Sequence, residues 1–231
     1  MDAAQLARLI DHTLLKPEAT AAQIETLCAE AIANGFASVC VNGVFVPLAV
    51  SLLQDHPSAV CMVVGFPLGA MHTEIKVAEA RLAVAQGATE VDMVIHVGAL
   101  KAGDTNAIQQ DIAAVVAASH AGGAICKVIL ENVLLTDEEK VTACKIAQAA
   151  GADFVKTSTG FNAGGATVAD IRLMRETVGP DMGVKAAGGV RTLADAKAMV
   201  EAGATRIGAS AGVALIAEAR GETTRPNSEG Y

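Results

Sequence analysis

Short apolar, β-branched runs alternate with alanine-rich stretches along almost the whole chain. The runs are SVCV from Ser38, VCMVV from Val60, EVDMVI from Glu90, CKVIL from Cys126, FVKTS from Phe154, GVKAA from Gly183 and RIGAS from Arg206. Their length and residue types fit strands, and their starts lie roughly 22 to 36 residues apart, room for one crossover helix each. Thr20, Asp104, Thr136, Thr167 and Thr192 stand where helix N-caps are needed. Gly35, Gly87, Gly151 and Gly203 each precede a strand and fit helix C-termini. The segment IDHTLL, from Ile10 to Leu15, reads as a short additional strand after an opening helix. The pattern predicts an α/β fold, a parallel (β/α)8 or TIM barrel, as a single domain over residues 1–220. Residues 221–231, polar and containing Pro226 and Asn227, read as a flexible C-terminal tail.

Charges interrupt this pattern inside the strands, where a parallel sheet should be apolar on both faces. Alternation puts Val91, Met93 and Ile95 on one face and Asp92, Val94 and His96 on the other. In the next strand Val128 and Leu130 oppose Lys127, Ile129 and Glu131; further on, Val155 opposes Lys156 and Val184 opposes Lys185. The apolar sets can face the helices, so Asp92, Lys127, Glu131, Lys156 and Lys185 are expected to converge inside the barrel. Isolated buried charges cost several kcal/mol each, on the order of a whole domain's net stability when several are unpaired. An ion-pair network that fixes strand register is one reading of the group, especially of Lys127 and Glu131. Lys156 and Lys185 point instead to chemistry, because both precede small, glycine-rich turns (TSTG and AAGG) at strand C-terminal ends, where barrel active sites lie.

A lysine with an ordinary pKa near 10.4 is neutral in only about a few parts per ten thousand at pH 7. A second ammonium such as Lys185 beside Lys156, together with partial desolvation, is expected to favour the neutral amine and make it a nucleophile. Asp92 can then carry protons. Gly160, the pair Gly188 and Gly189, and the run Gly208 to Ser210 follow the last three strands, where barrels commonly build a phosphate cup from backbone N–H groups. Ser158, Thr159 and Ser210 are candidate hydroxyl donors to it, while Arg191 reads as a surface charge.

Composition supports this reading and narrows the partners. Of 231 residues 52% are apolar and only 3% aromatic, which suits alanine-rich helices packed closely over small strands. The net charge of −8 argues against nucleic acid, which needs a basic face. No apolar run approaches the roughly 18 residues of a membrane span, and the N-terminus leads directly into helical sequence; a cytoplasmic chain is expected. The five cysteines are scattered without metal spacing and read as reduced thiols, and the histidines at 12, 56, 72, 96 and 120 show no ligand pattern, so neither a metal nor another cofactor is expected. His56 and His120 read as surface residues. His96, on the inward parity, is placed to touch a substrate. Cys40, at the end of a strand, reads as core, or as a thiol able to trap an aldehyde if exposed. VGFPLG, residues 64 to 69, reads as a rim turn shaped by Gly65 and Pro67.

The strings DHTLLKP, VGFPLG, EVDMVI, KVILE, FVKTSTGF, GVKAAGGVR and GAS, in this order from about Ile10 to Val213, resemble the deoxyribose-phosphate aldolases, a family of class I, Schiff-base aldolases. The tandem of FVKTSTGF and GVKAAGGVR is the most specific part. The resemblance implies that Lys156 forms the Schiff base and that Asp92 and Lys185 exchange protons with substrate. It implies reversible, metal-independent cleavage of 2-deoxy-D-ribose 5-phosphate to D-glyceraldehyde 3-phosphate and acetaldehyde. Asp11, Thr13, Cys40, Lys127 and Glu131 are supporting candidates. Two positions depart from the family pattern: His96 stands where asparagine is usual, and Phe161 where longer members carry a basic residue. Some members end in a tyrosine that reaches the site, and this chain ends at Tyr231. A homodimer or higher homo-oligomer is expected, since barrels of this kind often pair through outer helices. Two other readings remain open here. A transaldolase-like transferase or an isomerase would share the lysine and phosphate cup and differ in product; a non-catalytic sugar-phosphate binding barrel would bind ligand without forming an imine.

Overall fold

Most of the helices begin where a side chain can satisfy their first free N–H groups, and the five positions that the sequence marks are among these. In the computed structural model, whose described residues are 1–222, Thr20, Thr136 and Thr192 form full capping boxes, while Asp104 and Thr167 each accept from the third amide beyond them. At the other end, Gly35 closes a helix in the left-handed conformation, φ 68°, which a residue with a Cβ adopts only at a cost. Gly87, Gly151 and Gly203 also have positive φ.

The elements run α1 (Ala3–Ala7), β1 (Ile10–Leu14), α2 (Ala21–Asn34), β2 (Ser38–Val41), α3 (Val46–Leu53), β3 (Ala59–Val64), α4 (Thr73–Ala85), β4 (Glu90–Val94), α5 (Val97–Lys101) and α6 (Thr105–His120). They continue with β5 (Ile125–Ile129), α7 (Asp137–Ala149), β6 (Phe154–Lys156), α8 (Val168–Val178), β7 (Gly183–Ala187), α9 (Leu193–Glu201), β8 (Arg206–Ala209) and α10 (Gly212–Ala219). The eight strands are parallel and hydrogen-bonded in sequence order, with β8 returning to β1. The ring is a (β/α)8 barrel and the expected eighth strand is β1. Short α5 and the 3-10 turns at Gly43–Phe45 and Asn132–Leu134 are the elements that periodicity does not predict.

Alternation along each strand sorts the side chains into two layers. Val39, Val41, Val64, Val91, Met93, Val128, Val155, Val184 and Ile207 are fully buried against the helices. There they meet Ile24, Ala80, Ala83, Ile108, Ile112, Ala143, Ala147 and Ala196, also fully or almost fully buried. Burying one such valine or isoleucine stabilises by about 1.5–3 kcal/mol, so this outer layer supplies most of the driving force. A second apolar group, Leu15, Cys40, Cys61 and Val63 with Phe66 packed on it, lies apart from that layer. No helix among the described residues is long and apolar enough to cross a membrane. From residue 223 onward the expected tail, including Tyr231, falls outside the described residues.

Candidate active site

The inward layer collects the charges. Asp92 on β4 is a Cα partner of Lys127 on β5, and Lys156 on β6 is a partner of Lys185 on β7. Adjacent strands in register point these side chains to the same interior, where Asp92, Lys127 and Lys185 are fully buried and Lys156 is 3% exposed. Asp92 is the hub. Its Oδ2 accepts from Lys156 Nζ and from Lys185 Nζ, both at 2.8 Å. Its Oδ1 accepts from Lys127 Nζ at 2.7 Å and from the Cys61 thiol at 3.1 Å. The Lys156 and Lys185 amines therefore share one carboxylate oxygen.

A second tier lies one alternation below. Asp11 on β1 pairs with Lys185 and, at 2.6 Å, with Arg206 on β8. Glu90 on β4 pairs with Lys127 at 2.5 Å and with Arg206 at 3.2 Å, and the Arg206 guanidinium stacks over the Phe154 ring, 5.6 Å from its centre. Burial alone pushes a carboxyl upward, yet Lys127, Lys156 and Lys185 outweigh it and hold Asp92 well below the ordinary range. Lys185, Lys127 and Arg206 do the same for Asp11. Conversely, burial would lower Lys127 and Lys185, but Asp92 with Glu90 and Asp11 raises the first, and Asp11 with Asp92 the second, well above the usual lysine value. Glu90 and Arg206 were not among the residues expected here, although both share the inward parity, two positions before Asp92 and Gly208.

Glu131 and His96 are not in this cluster, contrary to the parity count. β5 ends at Ile129 and β4 at Val94, and beyond a strand's end alternation no longer sets direction. Glu131 turns into the left-handed region, φ 60° and ψ 60°, and its carboxylate accepts from the Thr159 amide, Thr159 Oγ1 and Asn162 Nδ2. His96 caps α5, its Nδ1 accepting from the Ala99 amide at 2.9 Å, and lines a cleft with His72 and Thr73 at the start of α4 and Asp111 within α6.

The turns after β6, β7 and β8 lie together. Thr157 stitches β6 to β7: its amide donates to the Lys185 carbonyl, its Oγ1 donates to the Ala187 carbonyl and accepts from the Ala187 amide. Gly188 and Gly189 follow with φ of 82° and 79°, two consecutive left-handed residues that only glycines take readily. Gly160 also has positive φ. Ser158 is 2% exposed, and its Oγ has no hydrogen-bond partner among the described residues. Thr159 is likewise buried, but its hydroxyl proton is directed to Glu131 at 2.5 Å. Gly208 lies within β8 opposite Asp11 and Ala187, not in a turn as the sequence suggests; Ser210 is the first residue past the strand and half-buried. Thr13 is buried and donates to the Asp11 carbonyl at 2.8 Å.

Cys40 is fully buried on β2 beside its register partner Cys61 on β3. Its pairing with Cys61 lowers the Cys40 thiol, while burial and that same pairing push Cys61 well up. Cys40, Cys61 and Asp92 bring one potential ligand atom each within 4.8 Å of one another, the one such group found among the described residues. Three ammonium groups already hold Asp92 and repel a cation, so the electrostatics oppose a metal there. At the rim Phe66 and Phe161 meet edge to face with centres 5.1 Å apart. His120 pairs with Asp153 and is exposed; His56 contacts Ser58.

Residues 6–217 match the model of the DeoC/LacD family aldolases. Over 210 residues, 91% of this chain and 94% of the relative, the sequence is 63% identical to the deoxyribose-phosphate aldolase of Lysinibacillus sphaericus strain C3-41. The crystal structure of a putative deoxyribose-phosphate aldolase from Coccidioides immitis superposes with a TM-score of 0.91 at 45% identity, covering 95% of this chain and 87% of that one. The deoxyribose phosphate aldolase of Aeropyrum pernix, described as a unique tetramer, superposes with a TM-score of 0.89 at 35% identity, covering 94% and 92%.

Proposed function

Since the chain belongs to the DeoC/LacD family of aldolases, we propose that it reversibly cleaves 2-deoxy-D-ribose 5-phosphate to D-glyceraldehyde 3-phosphate and acetaldehyde through a Schiff base on Lys156. The observation that carries this reading is the sharing of Asp92 Oδ2 by the Lys156 and Lys185 amines, which are register partners on adjacent barrel strands. A nucleophilic amine, a second ammonium and a carboxylate within one hydrogen-bonded group are the parts that imine chemistry requires.

In the cleavage direction the neutral Lys156 amine adds to the C1 carbonyl, and loss of water from the carbinolamine leaves a protonated imine. That cation accepts electrons. Asp92, steadied by Lys185 and Lys127, takes the C3 hydroxyl proton through a water; the C2–C3 bonding pair moves toward the iminium nitrogen, and glyceraldehyde 3-phosphate departs. The enamine left on Lys156 is reprotonated at C2 by the same relay, and hydrolysis releases acetaldehyde and restores the amine. The phosphate fits the turns after β6, β7 and β8, where Ser158 Oγ, Gly188, Gly189 and Ser210 stand. In this reading the lysine imine is the electron sink and no step calls for a metal.

Borohydride added with acetaldehyde should fix an ethyl group on Lys156, seen by intact mass and peptide mapping. Lys156→Met should take up none and lose activity by at least about 10³-fold. Labelling elsewhere, or an active Lys156→Met enzyme, would overturn the assignment. Assembly as a homo-oligomer belongs to the same proposal and is read by light scattering after gel filtration. So does a role for Tyr231: removing that residue should slow exchange of the acetaldehyde methyl protons with solvent, and an unchanged rate rejects it.

A further inference from the structure

Glu131 is a buried acid that the lysine chemistry does not use, and its backbone is the only non-glycine among the described residues with positive φ. Strained conformations of this kind persist where the surroundings over-determine them, commonly at functional sites. Here the surroundings are the turn that follows Lys156. Both carboxylate oxygens of Glu131 lie 3.3 and 3.4 Å from the Thr159 amide; Oε2 also accepts from Thr159 Oγ1 at 2.5 Å and from Asn162 Nδ2 at 3.0 Å. Thr159 Oγ1 in turn accepts from the Phe161 amide at 3.1 Å. On either side of Glu131, the Leu130 amide donates to the Lys156 carbonyl and the Asn132 amide to the Thr157 carbonyl, each at 2.9 Å. The far end of the turn is fastened separately, by the Ala166 amide on the Gly188 carbonyl at 3.0 Å.

We propose that Glu131 is the positioning residue of the phosphate end of the site: its carboxylate holds the turn from Thr157 to Asn162 in the one shape that presents Ser158 and Gly160 to an anion. The inference rests on the proposed reaction and adds a division of labour within it. A carboxylate suits the task because it only accepts, and all three groups that meet it are donors. Satisfying the Thr159 amide and hydroxyl internally also leaves the neighbouring Ser158 hydroxyl, buried and unpartnered, as the donor free for a ligand. The negative charge of Glu131 is absorbed by the hydrogen bonds that Thr159 and Asn162 donate to it.

Glu131→Gln keeps the shape but sets an amide NH2 against those donors. The reading is the preference for 2-deoxyribose 5-phosphate over 2-deoxyribose, taken as the ratio of kcat/KM values, with inhibition by inorganic phosphate alongside. Loss of charge-assisted hydrogen bonds should lower the ratio by about tenfold, mainly through KM for the phosphorylated sugar, and weaken phosphate inhibition in parallel. If both sugars lose kcat/KM equally, or the ratio stays at the wild-type value, the proposal fails. Should Glu131→Gln not fold, Asn162→Ala, at an exposed position, removes one donor from the same carboxylate. Its ratio should fall in the same direction by about threefold, and an unchanged ratio rejects the proposal. Failure of the underlying reaction would show differently, as a wild-type enzyme that cleaves neither sugar and traps no imine.

Discussion

Both oxygens of Asp92 are engaged, Oδ1 by Lys127 and the Cys61 thiol, Oδ2 by Lys156 and Lys185. Asp92→Asn removes the charge that holds three buried ammonium groups together. It should cost about 3–5 kcal/mol of stability in denaturant titrations, as for a broken buried pair, and lower kcat by about 10²- to 10⁴-fold. A variant as stable and active as wild type would show that the lysines find another counter-ion. The thiols offer a milder check on burial. Cys126 and Cys144 are pushed up to about 12 and Cys28 to about 11 by burial, so all three should resist alkylation at pH 8 in the folded protein and label once denaturant is added. At this scale alternation within strands made Asp92, Lys127, Lys156 and Lys185 legible in the sequence. Extending the same count two residues back reaches Glu90, and in β8 Arg206, but a charge at the first residue of a strand reads as an exposed end.

Parity fails at the ends of elements. His96 and Glu131 both lie two residues past the last strand residue, and local turn geometry, not the pleat, aims them. Helix positions hide a different case. Lys76 sits in α4 among charged residues and reads as solvated, yet it is fully buried; its Nζ donates to the Val94 carbonyl at 3.0 Å and to Asp111 on α6 at 2.5 Å. No spacing rule links residues on two helices, so only the packed α4 and α6 reveal the pair. Lys76→Met should strand Asp111, leaving it with Thr73 alone at 2.8 Å, and lower stability by about 3–5 kcal/mol. Replacing Asp111 by leucine in that background should recover part of the loss, and a double variant no more stable than the single one would contradict this. Close approach also fixes the turns. A Cβ at Gly165 would lie 2.4 Å from the Gly188 carbonyl oxygen, so Gly165→Ala must push the two turns apart and raise KM for the phosphorylated substrate by about tenfold or more. An unaltered KM would place the phosphate elsewhere.

Across the whole molecule, an apolar shell of helices surrounds strands whose interior is ionic, and pH acts on the two parts differently. Asp92 and Asp11 titrate below the ordinary carboxyl value, so their contribution is complete above about pH 4 and fades only as pH falls toward their folded values. Lys127 and Lys185 titrate above the ordinary lysine value; their contribution is complete below about pH 10 and fades only as pH climbs past it. The melting temperature should therefore be nearly level from about pH 5 to pH 9 as far as this network is concerned. A steep change near neutrality would mean that the carboxylates and ammonium groups are not paired as described. The architecture itself was readable because strand and helix periods alternate so regularly, down to five N-caps.

The seam between β1 and β8 also brings Arg206 to Asp11, residues 195 positions apart. A nascent chain that has emerged only through β7 has two raw sheet edges and an aspartate short of one of its cations. When the last strand docks, both deficits vanish together. Assembly is thus all or nothing, and a protease that clips away β8 should leave neither a stable remnant nor a partly working enzyme.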